Sequence, residues 1–446
     1  MGSIGTNSIR VYHVDPTADH DGCMAAFAAK GIYVFLDLDT FGTMILQTGP
    51  IWTEDQFAAF AKVMDVFQKY DNLGGFWIGN EVINTADGSP AAPYVKAATT
   101  DLKAYMAAKK YRQIPIGYSA ADIAELRPML QNYLACGDQP NQIIDFFGLN
   151  SYEWCGDATY QTSGYSNLQA MAENYSIPIF FSETGCNVGG ERTFNDQAAI
   201  FGPDMVGTWS GSIVYEWVQE TNDYGLVNYP NGQIYSGAPT PIQPDYDNLS
   251  KQWKTITPSG VALATYTPSN SPPACPSATL GWQVNGNPPL PTLDPSIVAA
   301  AAASIKPTIA PPPTTTASPV APTGIVTSYS YQALWPRAGG TLLSASTLSS
   351  PCHTAMSMGL LVYPSLTPGN SKKPEDTTSS TLSLNPSADL GIVANSPTAS
   401  LLSSAASTLT FSSSLPSLVS ASASNPARLH QFSPHQYSQS SELTLL

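Results

Sequence analysis

Charge is scarce in this sequence. Lysine, arginine, aspartate and glutamate make up 11% of its 446 residues, against about a quarter in ordinary soluble domains. Much of the surface must therefore be polar without being charged, which suits a secreted, sugar-handling protein. What charge there is leans acidic: the formal net charge of −15 argues against nucleic acid or an anionic membrane as partner. Long apolar runs are missing too, and none is long enough to span a bilayer. The chain opens Met1-Gly2-Ser3-Ile4-Gly5-Thr6-Asn7 without the basic and apolar regions of a secretory leader. The last residues form no apolar tail of the kind a GPI signal needs.

Cysteines number six: Cys23, Cys136, Cys155, Cys186, Cys275 and Cys352. None forms a CxxC pair, and no histidine lies at ligand spacing beside them, which argues against a zinc site. An even count favours disulfides in a secreted context, with connectivity left open by spacing. Asn174-Tyr175-Ser176 and Asn248-Leu249-Ser250 are N-glycosylation sequons, meaningful only on the secretory route.

What the chain does have is a pair of glutamates, each closing an apolar run. Glu81 ends Leu73-Gly74-Gly75-Phe76-Trp77-Ile78-Gly79-Asn80-Glu81, and Glu183 ends Ile177-Pro178-Ile179-Phe180-Phe181-Ser182-Glu183. Short apolar runs bounded by turn residues read as strands buried on both faces. A lone glutamate at a strand end is ordinarily a solvated loop residue. Two of them at the C-terminal ends of barrel strands, with Asn80 beside one, are the equipment for cleaving a glycosidic bond. Phe76, Trp77, Phe146 and Phe147 alternate along strands and read as core; His13 and His20 read as structural, and Asp37 and Asp39 as either cleft contacts or loop carboxylates.

Strands are expected near 8–14, 32–37, 75–81, 114–118, 146–152, 179–183 and 213–218. Helices are expected at 54–69, 92–109, 123–132 and 196–206, the first capped by Thr53 ahead of Glu54 and Asp55. Alternation of strand and helix implies a parallel sheet with crossover helices. Seven strands imply a (β/α)8 TIM barrel, of the α/β class, lacking its first strand at the N-terminus. On that count the chain as written is expected to be poorly folded. The barrel is expected over 1–258 and a tethered linker over 259–290. From 291 to 446 Ser, Thr, Pro and Ala dominate, as in Ala310-Pro311-Pro312-Pro313-Thr314. Such a stretch buries too little apolar area to offset its ordering entropy, so disorder is expected there.

Several blocks carry a resemblance. Ile9-Arg10-Val11-Tyr12-His13-Val14-Asp15-Pro16, Asp19-His20-Asp21-Gly22-Cys23, Gly79-Asn80-Glu81-Val82, Tyr152-Glu153-Trp154-Cys155-Gly156, Phe181-Ser182-Glu183-Thr184-Gly185-Cys186-Asn187 and Val214-Tyr215-Glu216-Trp217 resemble the fungal β-1,3-glucanosyltransferases of glycoside hydrolase family 72. The likeness runs from about residue 5 to 275. It implies a (β/α)8 barrel on secreted, usually GPI-anchored enzymes of the fungal cell surface. These cut a β-1,3-glucan internally and join the new reducing end to the non-reducing end of another chain.

By this resemblance Glu81 is the general acid/base and Glu183 the nucleophile. Asn80 supports the donor sugar, and Tyr12, Asp37, Tyr152, Tyr215 and Tyr224 line the cleft. The same likeness implies disulfides Cys155–Cys186 and Cys136–Cys275, leaves Cys23 without a partner and gives Cys352 no counterpart. No cofactor or metal is implied, and the expected partners are donor and acceptor glucan chains on a monomeric enzyme. Its expected place is the outer cell surface or wall, with membrane attachment resting only on the family's anchor. Pro273-Ala274-Cys275-Pro276 looks like the approach to a cysteine-rich carbohydrate-binding module that is not visible further on. A β-1,3-glucan hydrolase on the same scaffold, or a non-catalytic wall-protein fragment, are the competing readings.

Overall fold

The computed structural model describes residues 1–40, 42–230, 237–258, 260–261, 266–304 and the strand backbone of 358–362. All fall in the first of two units, Met1–Pro368; the second, Gly369–Leu446, lies outside the described residues, as does most of the tail expected to be disordered.

Seven parallel strands make the wall: β1 (Ser8–Val11), β2 (Tyr33–Asp37), β3 (Leu73–Asn80), β4 (Ile116–Ala121), β5 (Phe146–Asn150), β6 (Ile179–Thr184) and β7 (Trp209–Val214). Each pairs in parallel with the next in sequence. Beyond β7 a short antiparallel pair follows, β8 (Val227–Asn228) with β9 (Thr240–Pro241). The backbone of β10 (Met358–Val362) lies between β1 and β7, antiparallel to both, and closes the ring. Among the described residues the parallel set is thus one strand short of the usual eight, and the backbone of β10 completes the ring.

Helices α1 (Asp21–Ala28), α2 (Glu54–Phe67), α3 (Ala92–Ala108), α4 (Arg127–Ala135), α5 (Tyr165–Ala172) and α6 (Asn195–Ile200) run between the parallel strands, and α7 (Asp245–Thr255) follows them. Thr53 and Gln56 close a capping box on α2, satisfying two backbone donors at once. The helix expected over 196–206 stops at Ile200, because Pro203 disfavours helical backbone in the residue before it. The last parallel strand spans Trp209–Val214 rather than 213–218.

The aromatic pairs divide between the two faces of the wall, as period-2 alternation requires. Phe76 and Phe147 face outward into the core beneath the helices. Trp77 and Phe146 face inward, where they meet Phe35, Phe180 and Ile213. Gly117 on β4 makes room for this plug: a Cβ there would lie 2.2 Å from the Phe146 ring.

Two disulfides are formed, Cys136–Cys275 and Cys155–Cys186. Cys23 is also disulfide-bonded, which corrects the expectation that it is left without a partner. Cys352 lies outside the described residues.

The packed chain also runs past the boundary expected at 291. After Cys275, Trp282 is fully buried with its ring 5.5 Å from Tyr133, and Lys96 Nζ donates to Cys136 O and Asn287 Oδ1. Then α8 (Pro295–Ser304) packs on α3 with Val298 buried. The expectation of disorder from 291 missed this helix because it counted large apolar residues. Ala299–Ala303 is a run of the strongest helix former, and Val298, Ala301 and Ala302 pack the helix against the core.

Candidate active site

Glu81 and Glu183 stand at the C-terminal ends of β3 and β6, and both strands carry one extra residue just before them. Trp77 pairs with Gly117 and Asn80 with Ser119, so β3 takes three steps where β4 takes two. Phe181 pairs with Ser212 and Thr184 with Val214, so β6 likewise takes three steps against two on β7. Alternation alone would set Asn80 opposite in facing to Trp77, and Glu183 opposite to Phe180, since each pair is an odd number of residues apart. A bulge adds one residue and reverses that parity. It brings Asn80 and Glu183 to the inner side that Trp77 and Phe180 already occupy. Glu81, next along, has φ 48°, a left-handed backbone unusual for a non-glycine residue.

Arg10 organises the interior at this level. Its side chain is fully buried; Nε and Nη2 form a fork on the two Asp37 oxygens at 3.0 and 2.8 Å. Nη1 donates to Ser119 Oγ at 2.9 Å and to Glu183 Oε1 at 3.3 Å, and Nη2 reaches Asn80 Oδ1 at 3.0 Å. Burial by itself would lower its pKa, but the charges of Asp37 and Glu183 reverse the sign and the net shift is upward. The guanidinium therefore stays charged, as a buried arginine forked on a carboxylate should.

Glu183 is wholly buried, and its carboxylate is held at both oxygens. Tyr12 donates its hydroxyl to Oε1 at 2.8 Å and Tyr152 donates to Oε2 at 2.7 Å. Both phenols are raised well above the usual tyrosine range, by burial first and then by the Glu183 charge, so they act as donors. Glu81 is held from the other side. Asn150 Nδ2 donates to Glu81 Oε1 at 2.9 Å and to Asn80 Oδ1 at 3.0 Å, while its own Oδ1 accepts from Ser119 and Ser182 at 2.8 Å. A continuous polar network thus connects Glu81 to Glu183 through Asn150, Asn80 and Arg10.

The four tyrosines named from the sequence come together. Tyr12, Tyr215 and Tyr224 cluster with Tyr152 packed against them, in edge-to-face pairs with centroids 5.3 to 6.3 Å apart. Asp37 and Asn80 reach the same cluster through Arg10. The ring nitrogens of His13 and His20 bond the backbone oxygens of Asp39 and Asp15.

Sequence reasoning passed over Arg10, Ser119, Asn150 and Ser182 as functional residues. Arg10 had a signal: an arginine between Ile9 and Val11 in a buried strand has to be paired. Asn150 had none, since its partners are 69 and 70 residues away in sequence. Among the described residues no group of His, Cys, Asp or Glu is arranged to hold a metal ion, and no helix is long and apolar enough to cross a membrane.

Comparison with known proteins places this geometry. Residues 1–257 match the family model described as glucanosyltransferase, glycoside hydrolase family 72. This chain belongs to that family. It is 45% identical over 293 residues to the 1,3-beta-glucanosyltransferase gas2 of Schizosaccharomyces pombe, covering 64% of this chain and 63% of the relative. Against the 1,3-beta-glucanosyltransferase GAS2 of Saccharomyces cerevisiae it is 39% identical over 288 residues, covering 63% and 50%. The solved structure of Saccharomyces cerevisiae Gas2p in complex with laminaritriose and laminaritetraose superposes with a TM-score of 0.60 at 39% identity, covering 64% of each chain. The chain therefore spans between half and two thirds of the length of these curated relatives.

Proposed function

We propose that this chain is a retaining β-1,3-glucanosyltransferase that cuts a β-1,3-glucan internally and passes the new reducing end to the non-reducing end of a second glucan. The observation that carries the reading is the pair of strand-end glutamates, with Glu183 gripped at both oxygens and Glu81 joined to it through one polar network. Family membership and the oligosaccharides named with the solved relative support the substrate class.

In the first step a Glu183 oxygen attacks the anomeric carbon and the glycosidic bond breaks. Glu81 gives its proton to the leaving oxygen. Tyr12 and Tyr152 orient the attacking carboxylate, and Asn80 is placed to hydrogen-bond the 2-hydroxyl of the donor sugar. In the second step an acceptor hydroxyl attacks the same carbon, its proton passes to Glu81, and Glu183 is released. Tyr215 and Tyr224 extend the aromatic wall against which sugar faces can stack, favouring sugar over water as acceptor. The bridges and the sparsely charged composition fit an oxidising, extracellular setting, so the proposed site of action is the cell surface or wall.

A β-1,3-glucan hydrolase would share every residue named and differ only in accepting water. The test is product length. A reduced β-1,3-gluco-oligosaccharide is incubated with the protein and, in parallel, with Glu183→Gln. Products longer than the donor, absent with the variant, support transfer; shorter products alone move the reading to hydrolysis, and none from either overturns both.

A further inference from the structure

Arg192 makes contacts that join three parts of the cleft, and no role has been assigned to it above. It is 5% exposed and lies in the loop after β6, beyond the bridged Cys186. Its Nη1 donates to Tyr224 O at 2.7 Å; its Nη2 donates to Tyr215 O at 2.7 Å and to Gly185 O at 3.1 Å. Tyr215 and Tyr224 are two of the four wall tyrosines, and Gly185 is two residues beyond Glu183. One guanidinium therefore ties the backbone of the nucleophile's strand end to the backbone of both wall tyrosines.

The surroundings are shaped for this fork. Gly185 has φ 116°, and a Cβ there would lie 2.7 Å from Arg192 Nη2 and 3.2 Å from Tyr215 O, so a side chain would push the three loops apart. The guanidinium lies 4.7 Å from the centroid of Phe194 and 5.6 Å from that of Tyr224. Its carboxylate partner is Asp245 on α7, at 3.4 Å and itself partly exposed. Carbonyl oxygens, rather than a close carboxylate, take most of its hydrogen bonds. That arrangement serves the position of backbones more than it serves charge pairing.

We propose that Arg192 is a positioning residue that sets Tyr215 and Tyr224 against Glu183 and thereby fixes how well an acceptor sugar competes with water. This rests on the transferase reading above. A wall displaced by about 1 Å would still let Glu183 and Glu81 cleave the donor, but it would hold the acceptor poorly, and misplacement of that size can cost about a hundredfold in rate. A lysine in this place has one ammonium and cannot span three carbonyls in a plane.

The test measures the ratio of transfer to hydrolysis products for wild type, Arg192→Lys and Asp245→Asn. Arg192→Lys is expected to lower the ratio about tenfold with donor cleavage changed less; Asp245→Asn, which loosens the arginine without removing its fork, lowers it less. Equal losses in both channels, leaving the ratio at the wild-type value, would mean a structural role and overturn the proposal. If Arg192→Lys does not fold, Asp245→Asn decides: an unchanged ratio overturns it. Binding of a β-1,3-gluco-oligosaccharide to the Glu183→Gln protein, with and without Arg192→Lys, separates this proposal from the function reading. Should wild type make no longer products, transfer fails as the activity, and Arg192 is then judged by affinity alone. A weakening of about tenfold supports positioning of the sugar wall, and an unchanged affinity overturns it.

Discussion

Phe35, Trp77, Phe146, Phe180 and Ile213 fill the lower half of the barrel interior. Arg10, Asp37, Ser119, Asn150, Ser182 and Glu183 fill the level above, toward the C-terminal ends of the same strands, and all are 3% exposed or less. The two levels touch: the Arg10 guanidinium lies 4.8 Å from the centroid of Trp77. Below, the rings interlock by shape, with Gly117 giving way to Phe146. Above, every group is matched by hydrogen bonding, and the geometry is determined by direction rather than volume. Apolar packing tolerates small displacements, whereas a buried charge or amide left unmatched incurs a desolvation penalty. The lower level therefore contributes stability by packing alone, while the upper one holds the proposed reacting groups in a network whose charges must stay matched.

Four predictions sharpen or break that division, from the largest effect to the smallest. Glu183→Gln should lower the rate by on the order of a thousandfold or more while thermal unfolding moves by only a few degrees. A loss of stability as large as that expected below for Arg10→Met would mean that Glu183 also holds the barrel together. Arg10→Met leaves Asp37 and Glu183 buried without their cation, and should cost about 3–5 kcal/mol, read from urea midpoints, along with all activity. Trp77→Ala should cost a similar 3–5 kcal/mol by opening a cavity, yet any variant that still folds should keep measurable cleavage. If its activity vanishes while its fold persists, the division fails.

The smallest effect is a pH dependence at the edge of the upper level. Asp39, past the end of β2, is 7% exposed and its carboxyl is pushed up to about 8, by burial first and then by the Asp37 charge. Between 3.8 and about 8 the folded chain holds a proton that the unfolded chain has released, so this group makes stability fall as pH rises through that window. Asp39→Asn removes the titration. The melting temperature of the variant relative to wild type should rise by a few degrees from pH 5 to 8 and then level off. A constant difference across that range would show that Asp39 does not titrate there.

Much of this was legible beforehand. Hydrophobic runs ending in Glu81 and Glu183 pointed to the C-terminal ends of β3 and β6, where the fold sets both residues, and the seven-strand count matches the parallel set among the described residues. The motif resemblance named Tyr12, Tyr152, Tyr215 and Tyr224, which the fold gathers into one wall. Arg192 and Asn150 were not legible, because their partners come from distant loops and a hydrogen bond between such loops leaves no trace in local spacing. Helix α8 was misjudged because alanine contributes little to a count of large apolar residues while favouring helix strongly.

Local chemistry in the sequence, namely strand periodicity and an acid at each of two strand ends, was enough to indicate the class of fold, and the motif resemblance indicated the family. Which face each side chain takes was decided only in three dimensions. Strict alternation would turn Asn80 and Glu183 away from the side of Trp77 and Phe180. The extra residue near the end of β3 and of β6 reverses that parity, and a bulge is a property of how a strand pairs with its neighbours. Pairing depends on chain segments far apart in sequence, so the orientation on which the site depends exists only once the barrel has closed around it.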